Sequence, residues 1–422
     1  LQKFLLDNCQ IYLIIDNLNK RVFRESAINT IISIISSPQP GIKDDDLIRF
    51  VAFKIPYESS IYTDNFLSIE DARKRLDIDD LIVNVLTRMQ LMEEGWANSE
   101  ENRYRGSKWG SIYIKAPDIY FTIIEKAKNK LVKLGDIAEL KRGYTTGADE
   151  FFYIPKSNPF HIEEEFLKPV IKSPRECKTI LIDPEKLNYW LFICPYEKDE
   201  IKGTNALKYI ERGESLEKYI KQGKDKGKKI KGIHNVTSVQ GRKNWYDLGV
   251  RKYPELIIPS SFYNNFLVYF NNKVYANKRL YEIHFKENPI KLAIILNSSL
   301  FFFFLEVYAR SSLGEGLLDN TVYEDELIYI LNPIFLDNFS ELDAIFNNIK
   351  NREILSIFDE LQVNPERNDF INVNPLPDRK AIDDIVFSAL ELTPNERKAV
   401  YMSLLELTAN RLNRANLNQD RE

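Results

Sequence analysis

Two segments gather the side chains best suited to gripping a polyanion. Between Lys221 and Lys252 there are ten Lys/Arg (Lys221, Lys224, Lys226, Lys228, Lys229, Lys231, Arg242, Lys243, Arg251, Lys252) against two acids, Asp225 and Asp247. Gly223, Gly227 and Gly232 thread the first half, which predicts a loop, and Trp245 and Tyr246 follow. Lysines in such a run neutralise phosphates and release counterions, and the aromatics offer a stacking face. A solvated loop on a Lys-rich surface has the same composition. The second segment is Lys141-Arg142-Gly143-Tyr144-Thr145-Thr146-Gly147, between two candidate strands. Its backbone N–H groups and Thr hydroxyls beside two cations suit phosphate contacts. A plain turn is the alternative.

Other chemistries find little support. Cys9, Cys177 and Cys194 contain no CxxC pair, and His161, His234 and His284 are far apart, so thiolate or imidazole metal sites are not expected. Gly314-Glu315-Gly316 follows no strand, and there is no phosphate-binding P-loop and no GxSxG. Pro377-Asp378 followed by Glu396-Arg397-Lys398 formally resembles a Mg²⁺-nuclease spacing. However, Glu396 falls in a helix capping box, where acids are expected for capping alone.

The elements that must position these groups are legible in outline. Residues 10–16, 28–35 and 47–54 read as buried strands, continuous apolar runs rich in β-formers. Residues 69–96 read as helical, 98–109 as a polar loop, and a helix starts at Ala116-Pro117-Asp118 and runs to about Lys130. Strand candidates follow at 151–154, 189–193, 256–259, 266–270, 273–276 and 280–283, with Asn271-Asn272 as a tight turn of a meander. Asn288-Pro289 caps an apolar helix over 292–308, which is too short and interrupted to span a bilayer of about 20 residues. Thr393-Pro394-Asn395-Glu396 is a capping box that starts a helix to about Leu412. The fold class expected is α+β.

The 422 residues suggest two to four domains at roughly 100–200 residues each. A balance of 58 Lys+Arg against 62 Asp+Glu excludes a protein that coats nucleic acid by bulk charge, while leaving room for a local basic surface. No signal peptide or membrane span is evident, so the cytoplasm is the expected compartment. The chain opens at Leu1 in structured-looking sequence without an initiator Met, as if cut inside a larger protein.

Several stretches resemble the C-terminal half of adenine-specific (N6) DNA methyltransferases of the type IIG restriction–modification kind. They are Lys108-Trp109-Gly110 with Ala116–Phe121, Leu134–Tyr153, and Arg242-Lys243-Asn244-Trp245-Tyr246. Leu5-Leu6, Ile14-Ile15-Asp16, Arg21-Val22-Phe23 and Ala27–Ile32 resemble the late strands of that family's catalytic domain, and Asp383–Arg411 its closing helical segment. The resemblance implies three parts. Residues 1–130 are the end of the catalytic domain with connecting helices, 131–333 a β-rich target-recognition domain, and 334–422 a helical segment. It implies duplex DNA as partner, with the missing N-terminal catalytic half or a partner subunit as a further one. The family's S-adenosylmethionine loop and its Asn/Asp-Pro-Pro-aromatic motif for the extruded base are not found, and the sequence contains no Pro-Pro pair. This fragment is therefore expected to hold no catalytic residue, cofactor or metal; S-adenosylmethionine belongs to the full-length parent. The DNA-binding candidates are Lys141, Arg142, Tyr144, Thr145, Thr146, Lys224, Lys226, Lys228, Lys229, Arg242, Lys243 and Trp245. Arg310, Ser311 and Ser312 are weaker ones. The alternative to DNA recognition is a protein-docking module.

Overall fold

The computed structural model describes residues 1–18, 30–37, 41–97, 104, 106–219, 227, 229–312, 316–367 and 370–416. The fold is α+β, with several small sheets rather than one large one. The first sheet comprises β1 (Gln10–Asn17), β2 (Ile32–Ser36), β3 (Leu47–Phe53), β4 (Leu76–Asp77) and β5 (Leu81–Thr87), in the order β2-β1-β3-β5-β4. β1 and β3 are parallel; the other pairs are antiparallel. The continuous apolar runs arise because both faces are covered. Ile48, Phe50 and Ala52 point to one core with Leu6, Leu91 and Trp109. Val51 and Phe53 point to the other with Ile69 and Ala72, as the period of two requires. The outer strand β2 is different: Ile32, Ile34 and Ile35 are exposed.

The helical reading of residues 69–96 is corrected here. A helix covers Thr63–Asp71, another covers Arg88–Ala97, and between them Leu81–Thr87 is a strand. Leu-Ile-Val-Asn-Val-Leu-Thr is dense in β-branched residues, whose stiff χ1 favours the pleat. It pairs along all seven residues with β3.

The rest of the chain builds two further cores, a much larger one that runs from Ile112 to Ala409 and one that joins Phe151, Leu191, Tyr209 and Trp245. Glu139–Arg142, Leu280–His284, Leu256–Pro259 and Tyr269–Phe270 form one four-stranded sheet with Glu139–Arg142 at its edge. Tyr153–Pro155, Tyr189–Phe192, Leu167–Ile171 and Tyr275–Ala276 form another, in that order. The expected Asn271-Asn272 hairpin does not form. Tyr269–Phe270 belongs to the first of these sheets and Tyr275–Ala276 to the second. The Asn271 side chain instead bridges the corner, accepting from Val274 N at 3.1 Å and donating to Val274 O at 3.0 Å. Phe151-Phe152, read as strand, closes a helical turn, Asp149–Phe152.

The single helix expected over 292–308 is corrected to two, Pro289–Leu296 and Ser299–Tyr308, bent by 64° at Asn297-Ser298; the second is buried at all ten positions, as befits a core helix. Among the described residues no single helix is long and apolar enough to cross a membrane. The one acid of Ser299–Tyr308, Glu306, is met by Arg411 Nη2 at 2.6 Å and the Thr408 hydroxyl at 2.9 Å. Asp383 accepts from Ser299 N at 2.6 Å, Ser299 Oγ at 2.7 Å and the Tyr401 hydroxyl at 3.0 Å. These partners dock helices Pro377–Ala389 and Pro394–Asn416 onto the core, because a buried charge left unpaired would cost several kcal/mol (about 3–5). The Thr393 capping box is present, with Glu396 accepting from Thr393 N at 2.7 Å.

Candidate nucleic-acid interface

Strand Glu139–Arg142 ends at Gly143, and the chain then passes so close to the carbonyls of Ala276 and Asn277 that a Cβ at Gly143 would collide with them. Tyr144 N donates to Ala276 O at 2.7 Å. Gly147 closes the loop at φ 75°, a left-handed conformation that favours glycine. The Ser238 hydroxyl donates to Gly147 O at 2.8 Å.

Several candidate contacts form the machinery that holds this loop. Tyr144 is buried, its hydroxyl donating to Gly249 O at 2.7 Å. Thr146 is buried and its hydroxyl donates to Asp149 at the start of the following helical turn. Trp245 packs 4.6 Å from Phe151 and its indole N–H donates to Glu214 at 2.9 Å. Arg242 turns inward: Nη2 donates to Thr146 O at 2.7 Å and Thr145 O at 3.2 Å, and Nη1 to Trp245 O at 3.3 Å. Burial lowers its pKa from the ordinary arginine value. An aromatic or cation beside glycines reads identically in sequence whether it faces solvent or core; the packing decides.

The other candidates lie at the surface. Thr145 is exposed. Lys243 is exposed and paired with Glu197 at 2.8 Å, which raises its pKa. Lys229 pairs with Glu217 at 2.5 Å across a two-stranded ribbon. Lys224, Lys226 and Lys228 lie outside the described residues. Arg310 and Ser311 sit in strand Arg310–Ser312, and Arg310 pairs with Glu324 at 3.1 Å. The nuclease spacing does not assemble. Asp378 is bound by Arg352, Glu396 pairs with Lys126 at 2.7 Å, and among the described residues no group of three possible metal ligands exists.

Lys141 and Arg142 instead open onto a groove of about 1050 Å³ that they share with Arg251, Lys252, His284 and Lys286. Lys141 pairs with Glu139 at 2.7 Å, which lowers the Glu139 pKa. Arg251 lies 4.2 Å over the Tyr144 ring and donates to Arg142 O at 3.1 Å. The groove is lined by five Lys/Arg, suited to phosphate oxygens, and by the acids Asp136, Glu139, Glu282 and Glu326. Of these acids Glu282 is buried. Sequence reasoning named Arg251 and Lys252 only as members of the basic run, and missed Glu282, His284 and Lys286. Glu282 and His284 reach the groove because Leu280–His284 pairs with Glu139–Arg142, Glu282 opposite Lys141, and Arg251 through its hydrogen bond to Arg142 O; local sequence announces neither.

Comparison with known proteins gives three findings. Residues 106–362 match the family model for the C-terminal domain of the Type II methyltransferase M.Eco57I. The Type II methyltransferase M.AccI of Acinetobacter calcoaceticus is 29% identical over 219 residues, 50% of this chain and 34% of that protein. The solved structure of the type IIG restriction endonuclease BpuSI superposes with a TM-score of 0.49 at 14% identity, over 98% of this chain and 45% of that one. The chain thus spans about a third of M.AccI and under half of BpuSI.

Proposed function

This chain belongs to the family of the Type II methyltransferase M.Eco57I C-terminal domain, and from that membership we propose that it is the DNA-recognition part of an adenine-N6 methyltransferase in a restriction–modification system. The observation that carries the reading is the cationic rim of Lys141, Arg142, Arg251, Lys252 and Lys286 beside the pinned Thr145–Gly147 loop. Phosphates bind along that rim and fix the register of the duplex, while loop side chains reach base edges. The near-zero net charge is no obstacle, since the field that matters is local.

S-adenosylmethionine is assigned to the longer parent. The residues present here do not fit it, since the family's glycine loop is not found among them. The test is duplex binding by the 422-residue chain across a salt series. A few phosphate contacts predict that log K falls linearly with log salt, by about 0.9 per contact. Binding that ignores salt, or none at low salt, overturns the reading.

A further inference from the structure

We propose that Glu282 reads a base in this groove, accepting a hydrogen bond from the exocyclic amine of a cytosine or adenine. The inference rests on the duplex-binding reading above and extends it to a specific residue and a specific donor.

Among the described residues, buried acids are otherwise well partnered. Glu306, Asp383 and Glu360 each accept two or more hydrogen bonds, and Asp325 accepts from Asn320 at 2.7 Å. Glu282 is the exception. It is 0% exposed, yet neither carboxylate oxygen has a hydrogen-bond partner. Arg251 Nη1 and His284 Nε2 each stand 3.8 Å from its Oε2. At that separation the Arg251 charge offsets the carboxylate but leaves its lone pairs unused.

An unused buried acceptor costs free energy until a donor reaches it. A carboxylate can only accept, so what completes the site must carry N–H or O–H. The Lys and Arg side chains that share the groove supply donors suited to phosphate oxygens. A ligand with phosphates at its edge and an amine further in is a nucleotide strand of a duplex. In the major groove cytosine N4 and adenine N6 are amines, whereas guanine O6 and thymine O4 are acceptors that Glu282 would repel. Arg251 is the movable cover. Its side chain is 40% exposed, held by one hydrogen bond to Arg142 O, the Tyr144 ring and the 3.8 Å approach to Glu282 itself. Turning outward to a phosphate, it uncovers the carboxylate for the base.

The test selects the chain's preferred sites from a pool of random duplexes. It then measures affinity for duplexes in which the required cytosine is replaced by 2-pyrimidinone, or the required adenine by purine, deleting only the amine. The wild type is expected to lose roughly ten- to a hundred-fold in affinity, and the two substitutions say which base is read. Glu282→Met should bind duplex with the same salt slope and lose less than about two-fold when the amine is deleted. Glu282→Gln, whose amide can also donate, should tolerate guanine or thymine there; it stands in if the Met variant does not fold. Equal amine dependence in wild type and variants, or a wild type with no base preference, overturns the proposal while leaving duplex binding intact. Absence of duplex binding at low salt removes the underlying reading itself.

Discussion

Replacing Arg242 with methionine separates a guanidinium that holds the protein together from one that holds DNA. Its three acceptors are main-chain carbonyls at 2.7, 3.2 and 3.3 Å, two in the Thr145–Thr146 loop and one at Trp245, and it stacks 5.3 Å from the Phe152 ring. A hydrogen bond to a charged donor contributes about 1.5–3 kcal/mol net, and longer ones less, roughly 0.5–1 each. The side chain is only half-buried, so the sum is about 2–4 kcal/mol. Methionine keeps the apolar stem and the contact with Phe152, which confines the loss to those bonds. For a unit of about 150–250 residues this lowers the melting temperature by roughly 4–16 °C. Thermal melting followed by Trp fluorescence reads it directly. In parallel, fluorescence anisotropy of a labelled duplex across a salt series should give a slope equal to that of the wild type, measured where both proteins are folded. If Arg242 were a phosphate contact, the slope would shrink by about 0.9 and melting would barely move. That outcome would refute the assignment of Arg242 to the loop rather than to the ligand.

Two further predictions concern the docking of the C-terminal helices. Burial outweighs the Arg379 charge and the donors Ser299 and Tyr401, and pushes the Asp383 pKa up to about 6 from its ordinary 3.8. The native state therefore holds this proton to higher pH than the unfolded chain, so its contribution falls as pH rises from about 4 to 6. Relative to Asp383→Asn, the wild type should lose on the order of 3 kcal/mol across that window in urea denaturation; a stability difference that does not change with pH counts against it. For the Glu306–Arg411 pair, either Glu306→Leu or Arg411→Met alone should cost about 3–5 kcal/mol, and the two together much less than their sum. Additive losses in the denaturation midpoints would show that the pair is not coupled.

Where the sequence was legible, local interactions were sufficient. The Thr393 capping box needs only Thr393 and Glu396, three residues apart, and it forms. The Asn288 cap forms likewise, accepting from Ile290 N at 3.0 Å. β1 and β3 announce themselves as apolar β-branched runs. Where it misled, the deciding partner was remote. Leu81–Thr87 carries apolar residues at spacings a helix could also use, and only pairing along β3 settles it. Asn271-Asn272 has turn chemistry, but the two strands it separates find partners in different sheets.

The groove follows the same division. Composition and spacing by themselves determined that cations and a glycine-bounded Thr-Thr loop lie near Lys141, and that Phe301–Phe304 belong to a core. They could not determine which cations face outward. Tertiary structure turned Arg242 and Trp245 inward as supports, because the loop's carbonyls and the Phe151 ring needed partners. It brought Arg251, Glu282 and Lys286 to Lys141 and Arg142 from more than a hundred residues away. For Glu282 strand register does that, since pairing it with Lys141 fixes every neighbour on both strands at once, while Arg251 is held by its hydrogen bond to Arg142 O.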